Sequence, residues 1–174
     1  MNDHAQSITR TLYSLQDTEA LGAELALHLS QSPCSLLMQG PLGAGKTSLV
    51  RALVRHLPGG SEAEVSSPSF TIFNLYPTYP QIVHCDLYRC GQGSRLPDEA
   101  WDVLDNGALL VCEWSEYLDP ADAPSDSLLL TLTPCTKEGK EHVRTLIFRA
   151  HGPNAERVLA RMREKMERQD GCEC

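Results

Sequence analysis

Gly40-Pro41-Leu42-Gly43-Ala44-Gly45-Lys46-Thr47 is the stretch on which the reading of this 174-residue chain turns. It matches G-x-x-x-x-G-K-[ST] at every specified position. A loop wrapped around a phosphate must point consecutive backbone N–H groups inward, and glycines allow the conformations and close approach this demands. Lys46 then supplies positive charge to the β- and γ-phosphates, and the Thr47 hydroxyl can ligate Mg²⁺. A helix beginning near Lys46 aims its N-terminal partial charge at the same anion. A chance glycine-rich turn is the plain alternative, and the flanks weigh against it. Residues 35–39 are a short apolar run of buried-strand type, and Leu49, Val50, Leu53, Val54 and Leu57 share one side of the helix that follows. Pro58-Gly59-Gly60 ends that helix. The motif in this context predicts a nucleoside-triphosphate site.

The rest of the chain extends the pattern. Residues 8–13 alternate weakly and predict an opening strand, and Asp17 or Thr18 can cap a helix whose apolar face is Leu21, Leu25 and Leu29. Residues 66–76 are rich in Ser, Pro and aromatic side chains. A strand is expected at 81–85, an exposed loop at 91–97, a short helix at 98–104 and an apolar strand at 108–112. Residues 127–133 and 142–149 read as two late strands, a hairpin with 137–140 at its tip. Ala155, Val158, Leu159, Met162 and Met166 share one face of a final helix. Alternation of strand and helix through 35–113 predicts an α/β fold, a P-loop NTPase-like, mainly parallel sheet flanked by helices with a C-terminal antiparallel hairpin. One domain is expected over 1–170 and a disordered tail at 171–174.

A phosphate loop needs a carboxylate to complete its metal site, usually at the end of an apolar strand. Glu113 ends Leu109-Leu110-Val111-Cys112 and is the stronger candidate; Asp86 ends the less apolar Gln81-Ile82-Val83-His84-Cys85. For each, a solvated acid at a strand end is the competing reading. Trp114, beside Glu113, reads as packing. Neither N-K-x-D nor D-x-x-G, the marks of guanine-specific switch proteins, occurs in the chain. Adenine is favoured by elimination.

Composition bounds what remains. A formal charge of -8, a pI near 5.2 and 41% hydrophobic residues describe a globular chain, and exclude one that holds nucleic acid by bulk positive charge. The excess acid is local: residues 58–140 carry thirteen acidic against four basic side chains. That middle is where a protein partner is expected to dock. Cys34, Cys85 and Cys112 lie in or beside apolar runs and are expected as buried thiols rather than disulfides. The N-terminal residues are polar, without signal-peptide form, and no apolar run approaches the roughly 18 residues of a membrane span. The chain therefore reads as cytoplasmic, reduced and free of membrane contact.

Four blocks occur in order: Leu42-Gly43-Ala44-Gly45-Lys46-Thr47, Ser66-Ser67-Pro68-Ser69-Phe70-Thr71, His84-Cys85-Asp86-Leu87-Tyr88-Arg89 and Glu113-Trp114. Together they resemble the TsaE (YjeE) family of small bacterial P-loop ATPases, over about residues 12–150. The glycine loop is common to many NTPases; the S-P-[ST]-[FY]-T and H-x-D-x-Y-R blocks are the specific part. The resemblance implies an ATP/ADP-binding, Mg²⁺-dependent ATPase, weak alone and stimulated by partners. It would support the N6-threonylcarbamoyl modification of adenosine 37 of tRNA through a TsaB–TsaD-type complex in which TsaD carries the transferase chemistry. The RNA would be met only through those partners. By position, the resemblance implies that Gly43, Ala44, Gly45, Lys46, Thr47 and Ser48 hold the phosphates, with Thr47 and Glu113 on the metal. Residues 66–71 would form a switch-like loop facing the γ-phosphate, and Asp86 would orient the attacking water. Lys46, Asp86 and Glu113 make up the implied catalytic set, while Leu15 and Gly139, the latter at the hairpin tip, would border the adenine. Ser69 stands where the family usually has Thr, and residues 90–107 depart from its pattern.

Other constellations carry plainer readings. Cys172 and Cys174 lack a second Cys pair for a closed zinc site and read as a polar terminus. His84 is either catalytic or a structural hydrogen-bonding histidine. Arg144 and Arg149 either reach phosphates or are surface strand arginines, and residues 157–168 interleave acid and base as a solvated helix face does. Two functional rivals remain at this level. One is a small-molecule kinase with Arg89 and Arg95 as a closing lid and Asp86 as base; the other is a non-catalytic nucleotide-sensing scaffold.

Overall fold

The computed structural model describes residues 7–68 and 71–170. Seven strands form one sheet: β1 (Ser7–Leu12), β2 (Ser35–Gln39), β3 (Phe73–Tyr76), β4 (Ile82–Asp86), β5 (Leu109–Glu113), β6 (Ser127–Pro134) and β7 (Arg144–His151). Their spatial order is β1-β7-β6-β2-β5-β4-β3. The central four, β6, β2, β5 and β4, are parallel neighbours. β7 and then β1 add antiparallel at one edge, and β3 adds antiparallel at the other. The helices are α1 (Leu15–Gln31), α2 (Lys46–His56), α3 (Asp98–Leu104) and α4 (Pro153–Asp170). The expected α/β fold with a late antiparallel hairpin is therefore present. No helix among the described residues is long and apolar enough to cross a membrane.

Apolar side chains on both faces of the central strands explain the layering. Leu36 and Met38 of β2 and Val111 of β5 pack with α1, α2 and α4 residues such as Leu25, Leu53 and Val158. On the other face Leu110, Cys112, Val83 and Cys85 pack with Ala100 of α3 and Leu96. Cys34, Cys85 and Cys112 are buried free thiols, as expected, and burial pushes Cys34 and Cys85 up to about 12.

Two departures from the sequence reading have local causes, while the expected opening strand is present. The cap of α1 is Ser14, not Asp17 or Thr18. Ser14 is extended at φ -152° and its Oγ accepts from the Asp17 N–H at 3.2 Å, while the Asp17 carboxylate accepts from the Tyr13 N–H at 2.7 Å. Residues 73–76, read only as part of a Ser/Pro/aromatic stretch, form the edge strand β3. The opening strand β1 reaches the sheet by pairing with β7, Leu12 lying opposite Arg144. Ser69, Phe70 and the expected tail at 171–174, with Cys172 and Cys174, lie outside the described residues.

Two contacts fix the helices. A Cβ on Gly22 of α1 would fall 2.4 Å from the Ala52 Cβ and 2.7 Å from its carbonyl carbon on α2, so α1 and α2 touch backbone to backbone there. Glu24 of α1, nearly buried, accepts from both terminal nitrogens of Arg10 on β1 (2.8 and 2.7 Å) and from Lys165 on α4 (2.9 Å). Burial would raise its pKa, but these donors outweigh it and hold the carboxyl below the usual value.

Candidate functional site

The phosphate loop runs from the end of β2 into α2, at the carboxyl ends of the parallel strands. Gly40, Gly43 and Gly45 take φ of 138°, 76° and 103°, conformations open to glycine, and Gly45 is the N-cap residue of α2. A Cβ at Gly40 would also fall 2.4 Å from the Leu132 carbonyl oxygen, so the loop is seated directly on β6. Lys46 turns back over the loop and donates to the Gly40 carbonyl at 2.6 Å and the Pro41 carbonyl at 3.1 Å. Its ammonium lies 4.0 Å from the centre of the Trp114 ring. Burial pushes the Lys46 ammonium below the ordinary lysine value, against the opposing pull of Glu113, Glu116 and Asp86.

Alternation along the strands delivers the two carboxylates. Asp86 and Glu113 are the last residues of adjacent parallel strands and register partners. Glu113, 2% exposed, accepts from the Thr47 hydroxyl at 2.8 and 3.1 Å. His84, two residues before Asp86 and thus on the same face of β4, brings Nε2 to 2.9 Å from Glu113 Oε1. Its Nδ1 lies 3.4 Å from the Tyr76 hydroxyl, which in turn lies 3.3 Å from the Ser66 carbonyl. With Nε2 carrying the proton, His84 donates to the carboxylate and fixes its orientation. Asp86 accepts from the Ser67 hydroxyl and, at 3.0 Å, from the Tyr88 N–H. The segment at 66–68 is thereby tied to Asp86 directly and to Glu113 through Tyr76 and His84.

These groups line one cleft of ≈ 470 Å³, whose walls include Lys46, Thr47, Ser67, Asp86, Glu113 and Trp114. A second cleft, of ≈ 220 Å³, lies on the far side of Gly43, Ala44 and Gly45 and is lined by Leu12, Leu15, Thr18, Leu49, His142 and Arg144. Ser48 borders both. Leu15 is thus beside the loop and exposed. Gly139 sits in the β6–β7 connection, donating to the Glu141 carboxylate at 3.0 Å, and lines neither cleft. Arg89 lines the first cleft, whereas Arg95 is held by Asp122 at 2.8 Å, so the two do not come together as a lid.

Hard oxygen donors suit Mg²⁺, which keeps waters and takes ligand phosphates besides one or two protein oxygens. Thr47 and Glu113 are such a pair, already in contact at the mouth of the loop. Among the described residues no group of three or more His, Cys, Asp and Glu could hold a metal alone. An ion here would need the ligand's own oxygens.

Some contributions were hidden in the sequence. Trp114 is more than packing: it stacks between Tyr88 (4.8 Å) and Tyr117 (5.7 Å) and presents its ring to Lys46. Among the described residues, Trp114 and Ile72 are the non-glycine residues with positive φ, 57° and 70°; one follows Glu113 and the other accepts from the Asp86 N–H. Arg144 reaches the loop carbonyls from β7. A tryptophan directly after the strand-end Glu113 was the local hint of the first, and nothing local marks Ile72; Arg144, read as a phosphate-reaching or a surface strand arginine, instead holds loop carbonyls.

The family model for Threonylcarbamoyl adenosine biosynthesis protein TsaE matches residues 12–143. The tRNA threonylcarbamoyladenosine biosynthesis protein TsaE of Aquifex aeolicus is 37% identical over 112 residues, 64% of this chain and 79% of that protein. The protein of the same name from Synechocystis sp. is 39% identical over 116 residues (62% and 69%), and that of Rickettsia prowazekii 31% over 109 (62% and 74%). The match takes in the phosphate loop, both strand-end carboxylates and the segment that ties them together, and on it the chain belongs to the TsaE family.

Proposed function

We propose that this chain is a Mg²⁺-dependent ATPase serving the threonylcarbamoyl modification of tRNA adenosine 37, as an accessory to a TsaB–TsaD-type complex. The observation that carries the reading is the Thr47–Glu113 contact at the edge of a complete phosphate loop, with Lys46 over the same cleft. The compartment implied is the cytoplasm, and tRNA is reached through the partners.

Each residue has a definable task. Loop N–H groups and the start of α2 bind the β- and γ-phosphates, and Lys46 exchanges the Gly40 and Pro41 carbonyls for phosphate oxygens. Thr47 and Glu113 would hold Mg²⁺, which would supply charge neutralisation to the phosphates. His84 keeps the Glu113 carboxylate turned toward Thr47. Asp86, 5% exposed and anchored by Ser67 and the Tyr88 N–H, orients the attacking water. Leu15 and the second cleft take the adenine side.

The kinase alternative requires Arg89 and Arg95 to close together, and Arg95 is instead paired with Asp122. Following labelled γ-phosphate separates the two. The proposal expects inorganic phosphate, released only with Mg²⁺ and faster with TsaB–TsaD-type partners. Transfer of the label to a small acceptor would overturn it.

A further inference from the structure

Arg144 opens β7, where its backbone is fixed between Leu12 of β1 and Pro134 of β6. From there its side chain crosses to the phosphate loop, a hundred residues earlier in the chain. Nε donates to the Ala44 carbonyl at 3.0 Å and Nη2 to the Gly43 carbonyl at 3.3 Å. Nη1 donates to the Glu141 carbonyl and, at 3.0 Å, to the Val143 carbonyl. Every one of these acceptors is a neutral backbone carbonyl. The guanidinium charge therefore lies behind the loop with no carboxylate bonded to it among the described residues.

The loop is bracketed by two cations with different tasks. Lys46 holds the carbonyls of Gly40 and Pro41 from the cleft side and must release them to meet a phosphate. Arg144 holds the carbonyls of Gly43 and Ala44 from the hairpin side and has no reason to let go. A peptide plane whose C=O points away from the cleft turns the N–H of the next residue toward it. The Ala44 N–H is held inside the loop by the Pro41 carbonyl at 3.1 Å, so fixing the Ala44 carbonyl in this way aims the Gly45 N–H at the anion. Gly43 and Gly45 meet nothing within 4 Å of an added Cβ, so packing does not restrain these residues, and their backbone freedom must be limited otherwise. The flat fork of arginine spans two consecutive carbonyls; a lysine ammonium does not.

We propose that Arg144 is a positioning residue for polyphosphate binding: it clamps the outward carbonyls of Gly43 and Ala44 and lends its charge to the anion site. This rests on the nucleotide reading of the cleft. It gives the antiparallel hairpin a task beyond completing the sheet, since β7 carries a brace for the loop that follows β2.

The test is calorimetric binding of ATP and tripolyphosphate to the full chain and to Arg144→Ala and Arg144→Lys, with thermal unfolding of each. Tripolyphosphate uses the loop alone, so a general loss of folding and a loss of loop geometry separate. Arg144→Ala should weaken ATP and tripolyphosphate about tenfold or more and leave the cooperative melt in place. Arg144→Lys keeps the charge without the fork and should recover only part of the loss, which also decides the matter if the Ala variant fails to fold. Tripolyphosphate affinity within about twofold of wild type in Arg144→Ala, or full recovery by lysine, overturns the proposal. A wild-type chain that binds neither ATP nor tripolyphosphate would instead remove the nucleotide reading beneath it.

Discussion

Glu113 is held from two sides, by the Thr47 hydroxyl and the His84 ring, and substitutions on the two sides should have different signatures. Glu113→Gln keeps the shape and an oxygen for Thr47 but removes the charge. Mg²⁺-dependent hydrolysis should fall about a hundredfold or more while metal-free ADP affinity stays within a few-fold. His84→Ala leaves the carboxylate in place but free to turn, and activity or Mg²⁺ affinity should drop by about 10–100-fold with ADP binding little changed. Titrating Mg²⁺ at fixed ADP reads both effects. Equal loss of metal-free ADP binding in either variant would mean that these residues shape the loop rather than the metal site. The phosphate loop was legible at once because its chemistry is consecutive in the chain. His84 was legible only as either catalytic or a structural hydrogen-bonding histidine; its partner was not, since that depends on β4 and β5 being parallel neighbours in a register that puts it on the Glu113 face.

Helix α1 makes two predictions of its own. Gly22→Ala improves intrinsic helix propensity by about 1 kcal/mol, yet the added methyl meets the Ala52 carbonyl carbon and the Leu53 nitrogen at 2.7 and 2.8 Å. Backbone cannot swing aside as a side chain does, so the variant should be net destabilised, by about 1–3 kcal/mol in urea unfolding. Glu24 supplies the pH dependence. Its carboxyl is held below the ordinary value, so its stabilisation is fully present above about pH 4.5 and is lost as pH falls through the lowered native value. Urea midpoints of Glu24→Gln should lie below wild type near neutrality and converge with it in acid; parallel curves would show that the Arg10–Glu24–Lys165 cluster is not what links β1, α1 and α4. The long amphipathic helices and apolar strands were readable because periodicity reports one buried face. β3 was not: it is four residues long and borders the sheet on one side only, so neither length nor alternation marks it. The cap moved to Ser14 because backbone direction, not residue type, chooses among nearby oxygen-bearing side chains.

At the scale of the whole molecule, the acid behind the net charge of -8 lies in residues 58–140, which include the segment that ties the two carboxylates together. A chain of this net charge does not hold RNA by bulk positive charge. Isolated protein should therefore give no tRNA shift below about 10 μM at physiological salt, and tight, salt-sensitive binding would show a direct RNA surface. Above all, the sheet topology brings the phosphate loop, Thr47, Asp86 and Glu113 to the same strand ends, and the account stands or falls on that cleft being the nucleotide site. The most direct measurement is calorimetric titration of Mg·ATP into wild type and Lys46→Ala. Wild type should bind at one saturable site, and Lys46→Ala should bind about a hundredfold more weakly or not at all while keeping its cooperative melt. No binding by wild type, or undiminished binding by Lys46→Ala, would contradict it.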